Sequence, residues 1–306
     1  MIKKGCPEEY PISLRLNGYE IAVFQLTNQD LEDWVYGYLF SEGLIDGPED
    51  VVSVHFSEKT GTLNVTLCNS FDPEQMFSKK KHYTAGCGRG VTFFSMTDVK
   101  KFNKVNSDET YSLTYLLKKR AEFAQNSPLY LETGGMHGAC IILEDGSIEV
   151  REDIGRHNAV DKIIGHAIRK RLQPDRLVLL TTGRVSYEML SKAAKFGFAV
   201  IGSRTAATKQ AIQLARFLNI EVVGYLRGKM ATVYTSAGRI NDDLNPPAVE
   251  NSSHIENCPA PAPTPSSRFG PPDEVKERLH RSPLQRLSGL TKALPLFLKG
   301  GKPSKY

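Results

Sequence analysis

The sequence predicts an α/β protein in which a sheet is flanked by helices, with a small β-rich region before it and an unpacked tail after it. Three observations carry this expectation. From about 111 to 240, short apolar runs alternate with segments of helical period. Residues 12–26 alternate in polarity on either side of Asn17-Gly18, a dipeptide that favours a tight hairpin turn. After about 245 the composition changes, and the run Pro259-Ala260-Pro261-Ala262-Pro263-Thr264-Pro265 cannot build a packed core.

Within residues 1–110, strands are expected at 12–16 and 21–26, then a helix. Leu31, Trp34, Val35, Tyr38 and Leu39 make one apolar stripe, with Asn28 or Asp30 placed to cap its start and Gly43 to end it. Strands at 51–56 and 62–67 close around Gly61, and a Gly-rich stretch holding Cys87 follows the basic run Lys79-Lys80-Lys81-His82. Within residues 111–245, helices are expected at 111–126, 156–171, 187–196 and 208–218. A hairpin is expected around Asp145-Gly146, with strands at 177–182, 198–202, 220–226 and 231–235. That alternation implies a largely parallel sheet. Residues 246–306 read as a Pro-rich tail, with Gly289 and Pro295 interrupting the leucines that would otherwise form an amphipathic element.

Bulk properties narrow the setting more than the chemistry. A 306-residue chain with 40% apolar and 24% charged residues is long enough for two modest domains. A net charge of +5 suits an anionic ligand as well as nucleic acid, so it decides little. No apolar run is long enough to span a bilayer, and Met1-Ile2-Lys3-Lys4 is not followed by the apolar stretch of a secretory signal. The five cysteines, Cys6, Cys68, Cys87, Cys140 and Cys258, are scattered and never form a CxxC pair. This argues against a disulfide framework and against a Cys-rich zinc site, and points to a reducing cytoplasm.

Four constellations could carry chemistry. In Thr84-Ala85-Gly86-Cys87-Gly88-Arg89-Gly90 the glycines admit a ligand closely, and the nearby cations favour a nucleophilic thiolate. Composition alone divides Cys87 evenly between that role and a small buried turn residue. His137, among the glycines of Thr133-Gly134-Gly135-Met136-His137-Gly138, is a candidate acid–base or hydrogen-bonding group, and a structural turn explains the glycines equally well. In Asp153-Ile154-Gly155-Arg156-His157-Asn158-Ala159-Val160-Asp161, Asp153 is placed to cap a helix. There Asp161, four residues beyond His157, could fix its tautomer. Thr182-Gly183-Arg184 and Gly202-Ser203-Arg204 each follow a strand and precede a helix, a setting for a phosphate cradle. Neither is a Walker A sequence and no GxGxxG occurs, which counts against ATP hydrolysis and ordinary NAD binding.

Taken together these stretches resemble the FdhD family of sulfur carrier proteins required for formate dehydrogenase activity. The likeness spans about 10–240 and includes Leu39-Phe40-Ser41-Glu42-Gly43-Leu44-Ile45, Thr182-Gly183-Arg184-Val185-Ser186-Tyr187-Glu188-Met189 and Tyr225-Leu226-Arg227-Gly228. The resemblance implies a cytidine-deaminase-like mixed sheet with flanking helices, plus a small N-terminal β-rich domain. It implies that sulfur passes from a cysteine desulfurase, as a persulfide on Cys87, to a molybdenum bis(molybdopterin guanine dinucleotide) cofactor bound as client, and that a formate dehydrogenase apoenzyme receives it. The guanine nucleotide ends would bind at Tyr225, Leu226, Arg227, Gly228, Lys229 and Met230, with Arg184, Arg204, His137 and His157 nearby. A homodimer is also implied. Many members carry C-G-x-C-G in the loop, whereas this chain has Cys87-Gly88-Arg89-Gly90 and a single thiol. Zinc deaminase chemistry, which the fold could suggest, lacks its H-x-E and P-C-x-x-C residues here. A cofactor-binding chaperone with a merely structural Cys87 is the remaining alternative.

Overall fold

A computed structural model of the chain describes residues 5–69, 82–83, 91–92 and 102–244. Residues 1–245 form one compact unit, and 246–306 are a second unit outside the described residues. Cys87 also lies outside them, between β5 (His82–Tyr83) and β6 (Val91–Thr92), which pair antiparallel.

The N-terminal hairpin forms as its turn signal dictates. Strands β1 (Tyr10–Leu16) and β2 (Tyr19–Leu26) pair antiparallel, with Asn17 at φ 48° and Gly18 at φ 88° supplying the two left-handed residues of the turn. β3 (Val51–Ser57) and β4 (Thr62–Leu67) complete a four-stranded sheet in the order β2-β1-β4-β3. Helix α1 (Leu31–Glu42) lies on it, burying Trp34, Val35 and Leu39 against Ile12, Leu14 and Leu63. Gly43 ends α1 at φ 73°, and Asp30 takes the N-cap position without a side-chain capping bond. The cap role expected of Asp30 or Asn28 is therefore absent from Asp30, whose own backbone is left-handed.

The second part begins with β7 (Tyr111–Ser112), so the helix expected from 111 starts two residues later as α2 (Leu113–Gln125), capped by Ser112. A short helix that the periodicity does not reveal, α3 (Pro128–Thr133), follows. Then come β8 (His137–Ile142), β9 (Ile148–Asp153), α4 (Arg156–Arg169), β10 (Val178–Thr181) and α5 (Tyr187–Phe196). β11 (Val200–Ser203), α6 (Lys209–Leu218), β12 (Glu221–Arg227) and β13 (Met230–Val233) complete the sheet, and β14 (Ile240–Asn241) pairs with β7. The six-stranded order is β13-β12-β11-β10-β8-β9.

This corrects the expectation of a largely parallel sheet: the β10/β11 and β11/β12 ladders are parallel, and the β8/β9, β8/β10 and β12/β13 ladders antiparallel. The physical reason is insertion. α4 carries the chain from β9 to a strand of the same direction, as a βαβ unit must, but β8 is hydrogen-bonded between them. Four strands, β9 to β12, still point one way, and β8 and β13 run back. The ends of the first four and the starts of the other two therefore share one edge of the sheet.

The two parts meet where α1 crosses α4 at backbone contact. A Cβ on Gly37 would land on the Asp161 carbonyl, and one on Gly165 on the Asp33 carbonyl. Beside this crossing Asp33 receives Arg151 Nε at 2.8 Å and Arg169 Nη1 at 2.5 Å. Burial opposes the charge on Asp33, but bonds from His166, Arg169 and Arg151 prevail and hold its carboxyl well below the usual range.

Candidate functional site

The shared edge of the six-stranded sheet gathers the residues singled out in the sequence. At the start of β8, His137 faces Asp153 at the end of β9. Beyond β10, Thr182 accepts the Gly138 N–H on its hydroxyl at 3.0 Å, and the same oxygen is 3.3 Å from His137 Nδ1. Thr182 is thus the residue that places His137.

Asp153 does not cap α4, whose N-cap is Gly155 with no side-chain bond. Its carboxylate is saturated instead: Oδ1 accepts Gly155 N–H and Asn158 Nδ2, and Oδ2 accepts Thr27 N–H. Lys162 Nζ, as fully buried as Asp153, stands 2.7 Å from Oδ2 and also donates to the carbonyls of Thr27 and Glu152. With every lone pair engaged, Asp153 organises the edge and is not available to move protons.

Asp161 does not orient His157. Although four residues apart on α4, Asp161 turns to Lys192 on α5, at 2.7 and 2.5 Å, and to the Ser41 hydroxyl on α1 at 3.0 Å. His157 Nε2 instead lies 3.3 Å from Glu188 Oε2. Burial, with Lys192 and Arg156 adding like charge, brings the His157 pKa down to about 3, so the imidazole is neutral at pH 7. Burial and Arg156 lower that of His137 as well.

The two strand-to-helix junctions are stitched together. Ser203 Oγ donates to the Gly183 carbonyl at 2.7 Å, Arg204 N–H to Thr181 O at 3.1 Å, and Val185 pairs with Ala207 as an isolated parallel bridge. Gly183 is required on steric grounds, because a Cβ there would meet the Arg156 side chain at 2.9 Å. Helices α5 and α6 are capped by Ser186 and Thr208, which accept from Met189 and Ala211. These caps occupy helix N–H groups that a phosphate would use, so anion binding falls to the guanidinium groups.

Arg184 is exposed, and Arg204 is half-buried with Nη1 donating to Tyr130 OH at 3.1 Å. The β12 end joins this group through a bulge. Tyr225, at φ 51°, donates its N–H to Thr205 O, and Arg227 Nε donates to Arg204 O at 2.9 Å. The Arg227 guanidinium lies 5.2 Å from the centre of the Tyr225 ring. Lys229 and Met230 project into solvent after Gly228, which turns at φ 56°. Leu226 departs from its expected place, because its side chain is 1% exposed and packs in the sheet core. Among the described residues, Arg184, Arg204 and Arg227 form no ion pair with a carboxylate. The edge therefore presents cations, a phenol and two neutral imidazoles, a set suited to a ligand bearing phosphates and a heterocycle.

Thr182, Ser203 and Tyr130 were missed in the sequence as site residues. The first two sit inside noted motifs, whereas Tyr130, on a helix without periodicity, gave no signal. Among the described residues no group of three or more His, Cys, Asp or Glu could hold a metal ion, and no helix is long and apolar enough to cross a membrane.

Residues 7–241 match the model of the FdhD/NarQ family. Curated relatives include the sulfur carrier protein FdhD of Listeria innocua, 37% identical over 243 residues, covering 78% of this chain and 92% of that protein. That of Wolinella succinogenes is 38% identical over 236 residues, covering 76% and 82%. The crystal structure of a proposed formate dehydrogenase accessory protein from Desulfotalea psychrophila shares the fold, with a TM-score of 0.63 at 24% identity over 77% of this chain and 90% of that one. The extent of the family match and the level of identity place this chain in the FdhD/NarQ family.

Proposed function

We propose that this protein is a sulfur carrier that loads sulfur on Cys87 and passes it to a molybdenum bis(molybdopterin guanine dinucleotide) cofactor destined for a formate dehydrogenase. The observation that carries the reading is the convergence of Arg184, Arg204, Tyr225 and Arg227 with two neutral imidazoles on one edge without carboxylate partners for the three arginines. Its relatives named as sulfur carrier proteins support the same direction.

In the loading step the Cys87 thiolate attacks the outer sulfur of a persulfide on a cysteine desulfurase. The desulfurase S–S bond breaks, its thiolate leaves, and Cys87 holds the persulfide. The client cofactor's phosphates are met by Arg184 and Arg204, and its guanine ends by the exposed Tyr225, Arg227, Gly228, Lys229 and Met230, with Leu226 buried beneath them. His137, neutral at pH 7 and held through Nδ1 by Thr182, keeps Nε2 for a polar group of the ligand, and His157 lines the same edge as a neutral imidazole. A cytoplasmic homodimer completes the proposal.

Intact-mass measurement after incubation with a desulfurase and cysteine tests it. The wild-type chain gains one sulfur and Cys87→Ala gains none; a gain retained in the variant removes Cys87 from the mechanism. Formate dehydrogenase maturation undiminished in Cys87→Ala would make the protein a cofactor chaperone instead.

A further inference from the structure

Thr182 and Gly138 hold one another in both directions at the end of the β8/β10 ladder. The Gly138 N–H donates to the Thr182 hydroxyl oxygen at 3.0 Å, and the Thr182 N–H donates to the Gly138 carbonyl at 3.0 Å. This clasp fixes the hydroxyl oxygen beside His137, 3.3 Å from Nδ1. Among the described residues, neither the His137 ring nor the Thr182 hydroxyl has another hydrogen-bonding partner. Asp153, which faces His137 in the β8/β9 ladder, has no lone pair left for it, because Gly155, Asn158, Thr27 and Lys162 take them all.

Those contacts determine where the protons sit. Burial, and then the Arg156 charge, oppose a second proton on His137, so the ring carries one. Were that proton on Nδ1, two N–H groups would converge on the Thr182 oxygen. The hydroxyl hydrogen would then be left without an acceptor in a half-buried position. With the proton on Nε2, the hydroxyl hydrogen goes to the bare Nδ1 and its oxygen keeps the Gly138 N–H. The one donor left unspent is Nε2–H, which has no partner among the described residues and is not enclosed, so water serves it until a ligand arrives.

We propose that Thr182 is a positioning residue that fixes His137 as a hydrogen-bond donor at Nε2, so that an acceptor atom of the client meets a neutral N–H there and not a base. The assignment deepens the carrier reading above and rests on it only for the client, since the place of the proton belongs to the unliganded chain. An Nε2 that already holds its proton takes none from Cys87 or from the client, which removes His137 from the general bases. A neutral imidazole N–H can still polarise an oxygen or sulfur without adding a charge to the site.

The test is proton–nitrogen correlation NMR of the histidine rings in the full, ligand-free chain at pH 7, for wild type, Thr182→Val and Thr182→Ser. The His137 signals are assigned by their absence in His137→Gln. A ring protonated at Nε2 is expected in wild type and in Thr182→Ser, and a mixture of the two neutral forms in Thr182→Val. Guanosine diphosphate affinity, read by calorimetric titration, is expected to fall about fivefold in Thr182→Val and to return in Thr182→Ser. A wild-type ring protonated at Nδ1 overturns the proposal. So does a fall in affinity in Thr182→Val with the tautomer unmoved, which would make Thr182 a strut of the β8/β10 junction alone. If wild type binds no guanosine diphosphate, the carrier reading loses its ligand, and the ring spectra still decide whether Thr182 sets the proton.

Discussion

His157 remains neutral to about pH 3 because burial and three cationic or titrating neighbours oppose its protonation. Unfolded, it binds a proton near pH 6.5. Between those values the unfolded chain takes up a proton that the folded protein refuses, so stability is lost as pH falls through the interval. His137 acts with the same sign, while Asp161 and Glu152, raised by burial, act with the opposite one. The melting temperature of His157→Gln is expected to decline less than that of wild type from pH 6.5 to pH 4; equal slopes would show the imidazole to be solvated. Arg184, exposed at the junction after β10, makes a simpler prediction. Arg184→Gln weakens guanosine diphosphate binding about tenfold with no change in melting temperature, and unchanged affinity removes it from the site. At this scale the sequence was informative about position and poor about partners. His157 and Asp161 do lie on one helix, but a four-residue spacing says nothing of Lys192 and Ser41, which arrive from α5 and α1 and capture the carboxylate. Leu226 shows the reverse. Its place between outward-facing Tyr225 and Arg227 in a strand already marks it as an inward residue.

Elements were legible wherever a period or a turn marked them. Asn17-Gly18, Asp145-Gly146 and the stripe of α1 each gave their structure locally. The insertion of β8 between β9 and β10 was not legible, since strand order depends on which edges pair across the whole sheet, and no local residue records that. The crossing of α1 on α4 is likewise written as two isolated glycines in separate helices, with nothing to match them. Its consequence is sharp, because each Cβ would meet a carbonyl of the facing helix. Gly37→Ala and Gly165→Ala are each expected to cost roughly 3 kcal/mol, read as a lower denaturant midpoint with an unchanged slope. A loss within the small cost of an exposed helix substitution would mean the helices can part freely.

For the whole molecule, the fold class and the edge that carries the candidate site follow from the alternation of strands and helices, because four strands do point one way. What alternation cannot convey is how the N-terminal sheet is fastened to the second one. That fastening is the buried Lys162–Asp153 pair, which holds the N–H and the carbonyl of Thr27, a residue distant in sequence from both. Such a pair is unfavourable until all its partners are in place, since either charge alone would be stranded out of water. It therefore belongs to the last stage of assembly and adds little to the folding barrier from the unfolded side. Asp153→Asn should leave the refolding rate nearly unchanged and speed unfolding by roughly a hundredfold, as stopped-flow measurement of both limbs would show. The feature that joins the two sheets would then govern how long the native protein survives between openings, and leave how fast it first folds to the rest of the chain.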